Sequence, residues 1–326
     1  MAGGIGAVAV EPTYNRVMLY SPRGAGTDLG RFDQAGEFLP SSIRRTPDDH
    51  FVLKLGGNSF IVLDEALQLD RALDPALNPA DTRGITSIYD WAVTNDWLFG
   101  FGSVRDVKVP ERYRLGFLMA SLDSLDKPKL ALEVDEGEIY LYNQPYFAAI
   151  GGDRGYFVRF SEGMTALYSI DRDGAIAEVK GAIPQAYRRA PVVTTPNRGP
   201  DSAPAIYAEL EKQRFVAGLF NIDGRLFLLT RRPYMGTRTL WKMYEVDLKS
   251  KAPLQPALVL PTFAPHIAFV PTRELMLIFE KGRVYGGGSQ QIGSIKTFGA
   301  DWLLTPKESP LQLRRMEESL VRCEPF

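Results

Sequence analysis

Six times along this chain a short apolar run meets a turn rich in Gly, Asn, Asp or Pro and is followed by a second β-branched or aromatic run. Val8–Tyr20 reads VAVEPTYNRVMLY, Phe51–Asp64 FVLKLGGNSFIVLD, Trp91–Phe101 WAVTNDWLFGF and Phe147–Phe160 FAAIGGDRGYFVRF. Val216–Thr230, VAGLFNIDGRLFLLT, and Ile267–Phe279, IAFVPTRELMLIF, complete the set. Strand-forming flanks about turn residues that supply the required backbone angles predict a β-hairpin at each copy.

A second, weaker hairpin follows most copies: GRFDQAGEFL after the first, FLMASLDSLDKPKLALEV after the third, ALYSIDRDGAIAEV after the fourth and WKMYEVDLKSKAPLQPALVL after the fifth. Each carries an Asp in its turn, where the carboxylate is expected to accept backbone N–H bonds rather than hold a metal. Two hairpins make four antiparallel strands, and the copies recur every roughly 40 to 70 residues, the dimensions of a propeller blade with variable loops. The expected fold is therefore all-β: a six-bladed β-propeller of four-stranded antiparallel blades, one domain over residues 1–306, closed so that no open sheet edge remains. A seven-bladed ring and a pair of β-sandwiches are the alternatives. FDQAGEFL and YSIDRDGAI carry a resemblance to the NHL and TolB-like six-bladed propellers. It extends over nearly the whole chain through degenerate motifs, and implies the fold rather than a function.

Helix is scarce. Ser202–Lys212, SAPAIYAELEK, has a Ser cap signal and helical spacing within an inter-blade insertion. The tail, residues 307–326, carries SPLQLRRMEESLVRCEPF and is expected to be helical, with Leu313, Met316 and Leu320 on one side. Gly293–Leu304 should supply outer strands of the sixth blade and bring the termini together. Trp91, Phe147 and Phe269 are expected in the core between blades.

At net charge -1 and pI about 6.2, no global field recruits nucleic acid or an anionic membrane. With Cys323 the single cysteine, disulfide frameworks and cysteine zinc sites are excluded. No apolar run reaches a membrane span of about 20 residues. MAGGIGAVAVEP lacks the pattern of a signal peptide, which gives a cytoplasmic expectation, or export if the true start lies upstream.

Catalytic signatures are few. Gly286-Gly287-Gly288 is not followed by phosphate-loop spacing, and neither a G-x-S-x-G elbow nor an H-x-x-x-H pair occurs. Blade topology draws attention elsewhere. With strands counted outward from the axis, last-to-first crossovers and second-to-third loops share one face. His50 and His266 precede the hairpins of the second and sixth copies, and Asp90, Gln144 and Arg214 hold comparable places in the third, fourth and fifth. These five form a candidate polar pocket at the channel mouth. The doublets Arg44-Arg45, Arg188-Arg189 and Arg231-Arg232 are assigned to the same face, so Arg45, Arg189 and Arg232 join the candidate ligand-binding set. Arg105, Lys108, Arg112 and Arg238 reinforce that face, while Asp135, Glu136 and Glu138 neutralise part of it. Forked guanidinium donors suit carboxylates and phosphates.

Three functions fit these observations. The first is a non-enzymatic propeller that binds a protein or small anionic ligand through its long crossover loops, Gln185–Lys212 and Gly102–Arg114, without a cofactor. The second is a hydrolase or lyase at the channel mouth. There the lactonase-like propellers imply a calcium ion, and Asp49, Asp90 and Asn143 imitate part of the ligand set. The third is a structural subunit of a larger assembly.

Overall fold

The computed structural model describes residues 7–11, 16–20, 26–31, 40–55, 60–64, 69–73, 85–105, 113–125, 127–135, 145–150, 153–161, 163–196, 202–234, 236, 238–248, 256–271, 276–281 and 292–298. Among them the strands form six antiparallel sheets, each meandering in chain order. Sheet 1 holds β1 (Ala7–Glu11), β2 (Arg16–Tyr20) and β3 (Gly26–Arg31). Sheet 2 holds β4 (Pro40–Arg45), β5 (Phe51–Leu55), β6 (Phe60–Leu63) and β7 (Leu69–Leu73). Sheet 3 holds β8 (Ile85–Val93), β9 (Trp97–Arg105), β10 (Tyr113–Ser121) and β11 (Lys129–Glu133). Sheet 4 holds β12 (Tyr146–Ile150), β13 (Arg154–Ser161), β14 (Met164–Asp171) and β15 (Ile176–Glu178). Sheet 5 holds β16 (Phe215–Ile222), β17 (Arg225–Tyr234), β18 (Arg238–Val246) and β19 (Pro256–Val259). Sheet 6 holds β20 (His266–Pro271), β21 (Met276–Lys281) and β22 (Ile292–Phe298). Four of the six thus carry four strands.

The chain divides into two compact units. The first comprises Met1–Ser21, Ala25–Arg159 and Leu167–Val179; the second comprises Pro22–Gly24, Phe160–Ala166 and Lys180–Phe326. In the first unit the leading strands of successive sheets lie against one another, β1 on β4, β4 on β8 and β8 on β12. Leading strands side by side, with the remaining strands stepping away in order, are a propeller arrangement of blades. The fold is all-β, with one short α-helix, α1 (Ala203–Leu210), among the described residues.

Apolar faces between neighbouring sheets form the core. Val52, Phe60 and Val62 of sheet 2 pack with Ile88, Trp91 and Leu118 of sheet 3. Trp91 meets Phe60 edge-on at 5.3 Å between centroids. Sheets 3 and 4 share an aromatic column in which Phe117 and Phe157 stack at 4.2 Å and Phe147 lies 5.4 Å from Phe157. In the second unit, Phe227 and Trp241 of sheet 5 join Phe269 and Ile278 of sheet 6. Trp91, Phe147 and Phe269 are all buried, as their apolar surroundings on the strands predict.

Local geometry follows the turn chemistry. Ile222 pairs with Arg225 across Asp223 and Gly224, whose φ values of 53° and 71° are those of a tight hairpin turn. In ALYSIDRDGAIAEV the Asp171 carboxylate accepts the N–H groups of Asp173 at 3.0 Å and Ala175 at 2.9 Å, the turn role expected of it.

One hairpin occupies a different place from the one its sequence predicts. Phe51–Asp64 is the middle hairpin of sheet 2, and the leading strand is PSSIRR, β4. This strand is polar because its side chains bond to the next leading strand. The Trp91 indole N–H donates to Ser42 Oγ at 2.9 Å, and Arg44 Nε donates to the Trp91 carbonyl at 2.8 Å. The expected helical tail lies outside the described residues. Of Gly293–Leu304, the described part belongs to β22, which pairs with β21 in sheet 6.

Candidate functional site

Two clusters of polar side chains stand out, one in each unit. The first is built on the leading strands of sheets 2, 3 and 4. β8 shifts register between Ile88 and Asp90. Without that extra residue, Ile88 and Asp90 would face the same way; the bulge keeps Ile88 and Trp91 in the core and turns Asp90 to the opposite face. There its Oδ1 accepts Arg44 Nη2 at 2.7 Å and its Oδ2 accepts the Phe147 backbone N–H at 2.9 Å. One carboxylate therefore ties three consecutive sheets. Burial pushes the Asp90 carboxyl above its ordinary value; the charge of Arg44 and the N–H bonds pull it back only in part.

Beside this tie, the turn from β4 to β5 is closed by its own side chains. Thr46 Oγ1 donates to Asp48 Oδ1 at 2.5 Å, and Thr46 N–H reaches the His50 carbonyl at 2.9 Å. Asp49 adopts φ 70° and pairs with Arg45 at 2.8 Å. His50 Nδ1 lies 3.3 Å from the Asp48 carbonyl. Burial alone would raise the Asp48 carboxyl, but the Thr46 hydroxyl, the nearby His50 and backbone N–H groups outweigh it and leave the group below its ordinary value.

The second cluster lies on the connection from β15 to β16. Ala182, Ile183, Tyr187 and Ala190 are buried along it, and helix α1 docks through Ile206 and Leu210. Ser202 takes the N-cap position of α1 but makes no side-chain capping bond; Pro204 opens the first turn. Two side chains clamp the preceding strand-like stretch to the helix. Glu209 accepts the Thr194 N–H at 2.7 Å, the Thr195 N–H at 2.9 Å and both threonine hydroxyls, with the Thr195 hydroxyl the leading cause that holds its carboxyl down to about 2. Gln213 accepts the Val192 N–H at 2.8 Å and donates to the Val192 carbonyl at 2.5 Å, so its amide stands in for a neighbouring strand. Glu211 Oε1 lies 2.9 Å from His266 Nε2, while Tyr207 meets the His266 ring edge-on at 5.9 Å.

These bonds sort the charges. Glu209 and Glu211 are the described acidic residues of 180–214, and both face protein groups. Lys180, Arg188, Arg189, Lys212 and Arg214 of the same segment are all exposed. Arg188 also donates from Nε to the Ile183 carbonyl at 3.2 Å. Met164 forms an isolated antiparallel bridge with Arg189.

Set against the sequence, the candidate residues separate. His50 lies in a first-to-second-strand turn and does not precede a leading strand, because β4 takes that place. Asp90 is within β8, tied to Arg44. Arg214 directly precedes β16, and His266 opens β20. Gln144, Asn143, Lys108, Arg112, Glu136 and Glu138 lie outside the described residues.

Strand polarity does not put the three doublets at equivalent ends of their sheets. Arg44-Arg45 ends β4 at its turn into β5, whereas Arg231-Arg232 lies in β17 towards β18. Neighbouring residues on a strand face opposite ways, and each doublet within a strand sends one member inward. Arg231 is buried, with its guanidinium 5.2 Å from the Phe215 ring and 5.5 Å from Trp241, while Arg232 is half-buried. Of the three doublets, Arg188-Arg189 is the one exposed at both positions.

Two residues proposed as calcium ligands, Asp49 and Asp90, each face a guanidinium. The clamps Glu209 and Gln213 are not among the residues that the sequence singles out. Their signal is the run ELEKQR, in which Glu209, Glu211 and Gln213 stand at alternate positions and Lys212 and Arg214 are exposed.

No protein-family model matches the chain, and no curated protein matches it. Solved structures similar to it include TolB from Acinetobacter baumannii, at 11% identity and TM-score 0.45 over 93% of this chain and 62% of that one. The chain thus spans about three fifths of the length of that TolB, 62%. Virginiamycin B lyase from Staphylococcus aureus is similar at 11% identity and TM-score 0.34, covering 85% of this chain and 92% of the lyase. The β-propeller domain of the Trilobed protease from Pyrococcus furiosus is similar at 10% identity and TM-score 0.39, covering 94% and 86%.

Proposed function

We propose that the chain is a non-enzymatic binding propeller, its sheets the blades of a six-bladed ring of the NHL/TolB-like type. It recognises an anionic group, on a protein or a small molecule, through the crossover from β15 to β16. One observation carries this reading: the described acids of the crossover, Glu209 and Glu211, are engaged with protein groups, while its described cations are exposed. The Glu209 and Gln213 clamps support it further, since a loop ordered before binding loses less entropy on binding. Of the candidate residues, Arg189 and Arg214 belong to this surface, joined by Arg188 and Lys212. His266 contacts Glu211 of the same segment.

A ligand that binds the folded state raises its unfolding midpoint. Citrate at constant ionic strength should therefore raise the midpoint of the wild-type protein relative to chloride. The double variant Arg189→Glu, Arg214→Glu should keep its circular dichroism spectrum and lose the citrate effect. An equal citrate effect in both proteins would remove this surface from the function.

A further inference from the structure

The anionic reading leaves open what bears the charge, and apolar side chains among the arginines narrow it. Met164 is 54% exposed, and Val192 is 51% exposed. Around the Met164–Arg189 bridge, Thr165 N–H donates to the Arg188 carbonyl at 2.7 Å and Ala190 N–H to the Gly163 carbonyl at 2.9 Å. Bonds placed on either side of the pair make it the narrow kind of antiparallel pair, in which the two side chains stand together on one face, Cα atoms about 4.5 Å apart. An exposed thioether thus lies beside an exposed guanidinium. Val192 is three residues beyond Arg189, within roughly 10 Å of chain. Both backbone polar groups of Val192 are occupied by the Gln213 amide, so the atoms it offers to a partner are apolar. Arg214 follows Gln213 directly.

We propose that the partner is an acidic peptide segment with an apolar side chain between its carboxylates, laid across Met164, Arg189, Val192 and Arg214; this rests on the anionic reading above. A small free anion would engage the guanidinium groups and gain nothing from Met164 or Val192. A peptide gains from both. Its carboxylates take the forked donors of Arg189 and Arg214, and its apolar side chain covers the Met164 and Val192 surfaces. Arg and Met are among the side chains enriched in protein interfaces, whereas exposed hydrophobic groups beside cations otherwise face water.

The test uses a fluorescent peptide of Asp and Glu around a central leucine, followed by polarisation, with citrate binding read in parallel from the unfolding midpoint. The double variant Met164→Ser, Val192→Ser should weaken the peptide about tenfold or more and leave the citrate effect intact. Arg189→Glu with Arg214→Glu should abolish both. Replacing the central leucine by serine should bring the wild type down to the affinity of the Met164→Ser, Val192→Ser variant. Equal peptide affinity in wild type and that variant, with citrate still bound, overturns the peptide proposal and spares the anionic reading. Loss of citrate and peptide binding alike in the wild type overturns both.

Discussion

Asp90 shows how much a single side chain can decide in a fold of this kind. It holds Arg44 and the Phe147 N–H from the sheets on either side of its own. Asp90→Ala should therefore cost about 1–3 kcal/mol, since it removes the acceptor of a buried backbone donor; urea unfolding measures it. Its titration has a definite sign. A carboxyl whose folded value is raised favours the folded state most below the ordinary value of 3.8, and this contribution is lost as pH rises through the raised value. Asp48 is lowered, so its contribution is present above 3.8 and lost as pH falls through its folded value. Unfolding midpoints of Asp90→Asn and Asp48→Asn, each compared with wild type across the acid range, should thus diverge in opposite directions. Parallel slopes would contradict the assigned environments. Trp91 was readable as core from its neighbours in WAVTNDWLFGF, and Trp91→Ala should cost about 3–5 kcal/mol. The bonds of Asp90 were not readable, because they depend on a bulge that no local pattern announces.

At the level of the strand, what was legible was what repeats. Five of the six hairpins open their sheets, as their sequences predict, because apolar runs about turns of Gly, Asn, Asp or Pro leave few other conformations. The remaining one, Phe51–Asp64, is shifted because PSSIRR looks like a loop: a strand stabilised by hydrogen bonds to its neighbour has no apolar period to show. This one displacement moved His50 and the Arg44-Arg45 doublet to the opposite end of their sheet from the one expected. The β8–β9 pair carries its irregularity in glycine as well. A Cβ on Gly102 would come within 2.1 Å of the Ser87 carbonyl oxygen, a backbone atom that cannot swing aside. Gly102→Ala should destabilise by about 1–3 kcal/mol through overpacking, measurable as a lower urea midpoint with unchanged slope. A neutral result would mean that the irregularity between Ile85 and Ser87 relaxes freely.

Across the molecule, a net charge of -1 says nothing of where the cations are. The composition hid the surface because sorting, not excess, creates it: Glu209 and Glu211 turn towards Thr194, Thr195 and His266, and Arg188, Arg189, Lys212 and Arg214 remain at the surface. Binding there should be sensitive to salt, since exposed charges are screened over about 8 Å at physiological ionic strength. The site was legible in part, as arginine doublets and a long crossover, but which doublet is displayed depends on side-chain packing that only the folded chain defines. The most direct test is where an anion lands. Titration of isotope-labelled protein with citrate, followed by backbone amide resonances, should shift the signals of residues 163–165, 188–192 and 212–214 first and together. Shifts centred instead on the turn that holds His50, or on Arg44 and Asp90, would contradict the assignment of function to the β15–β16 crossover.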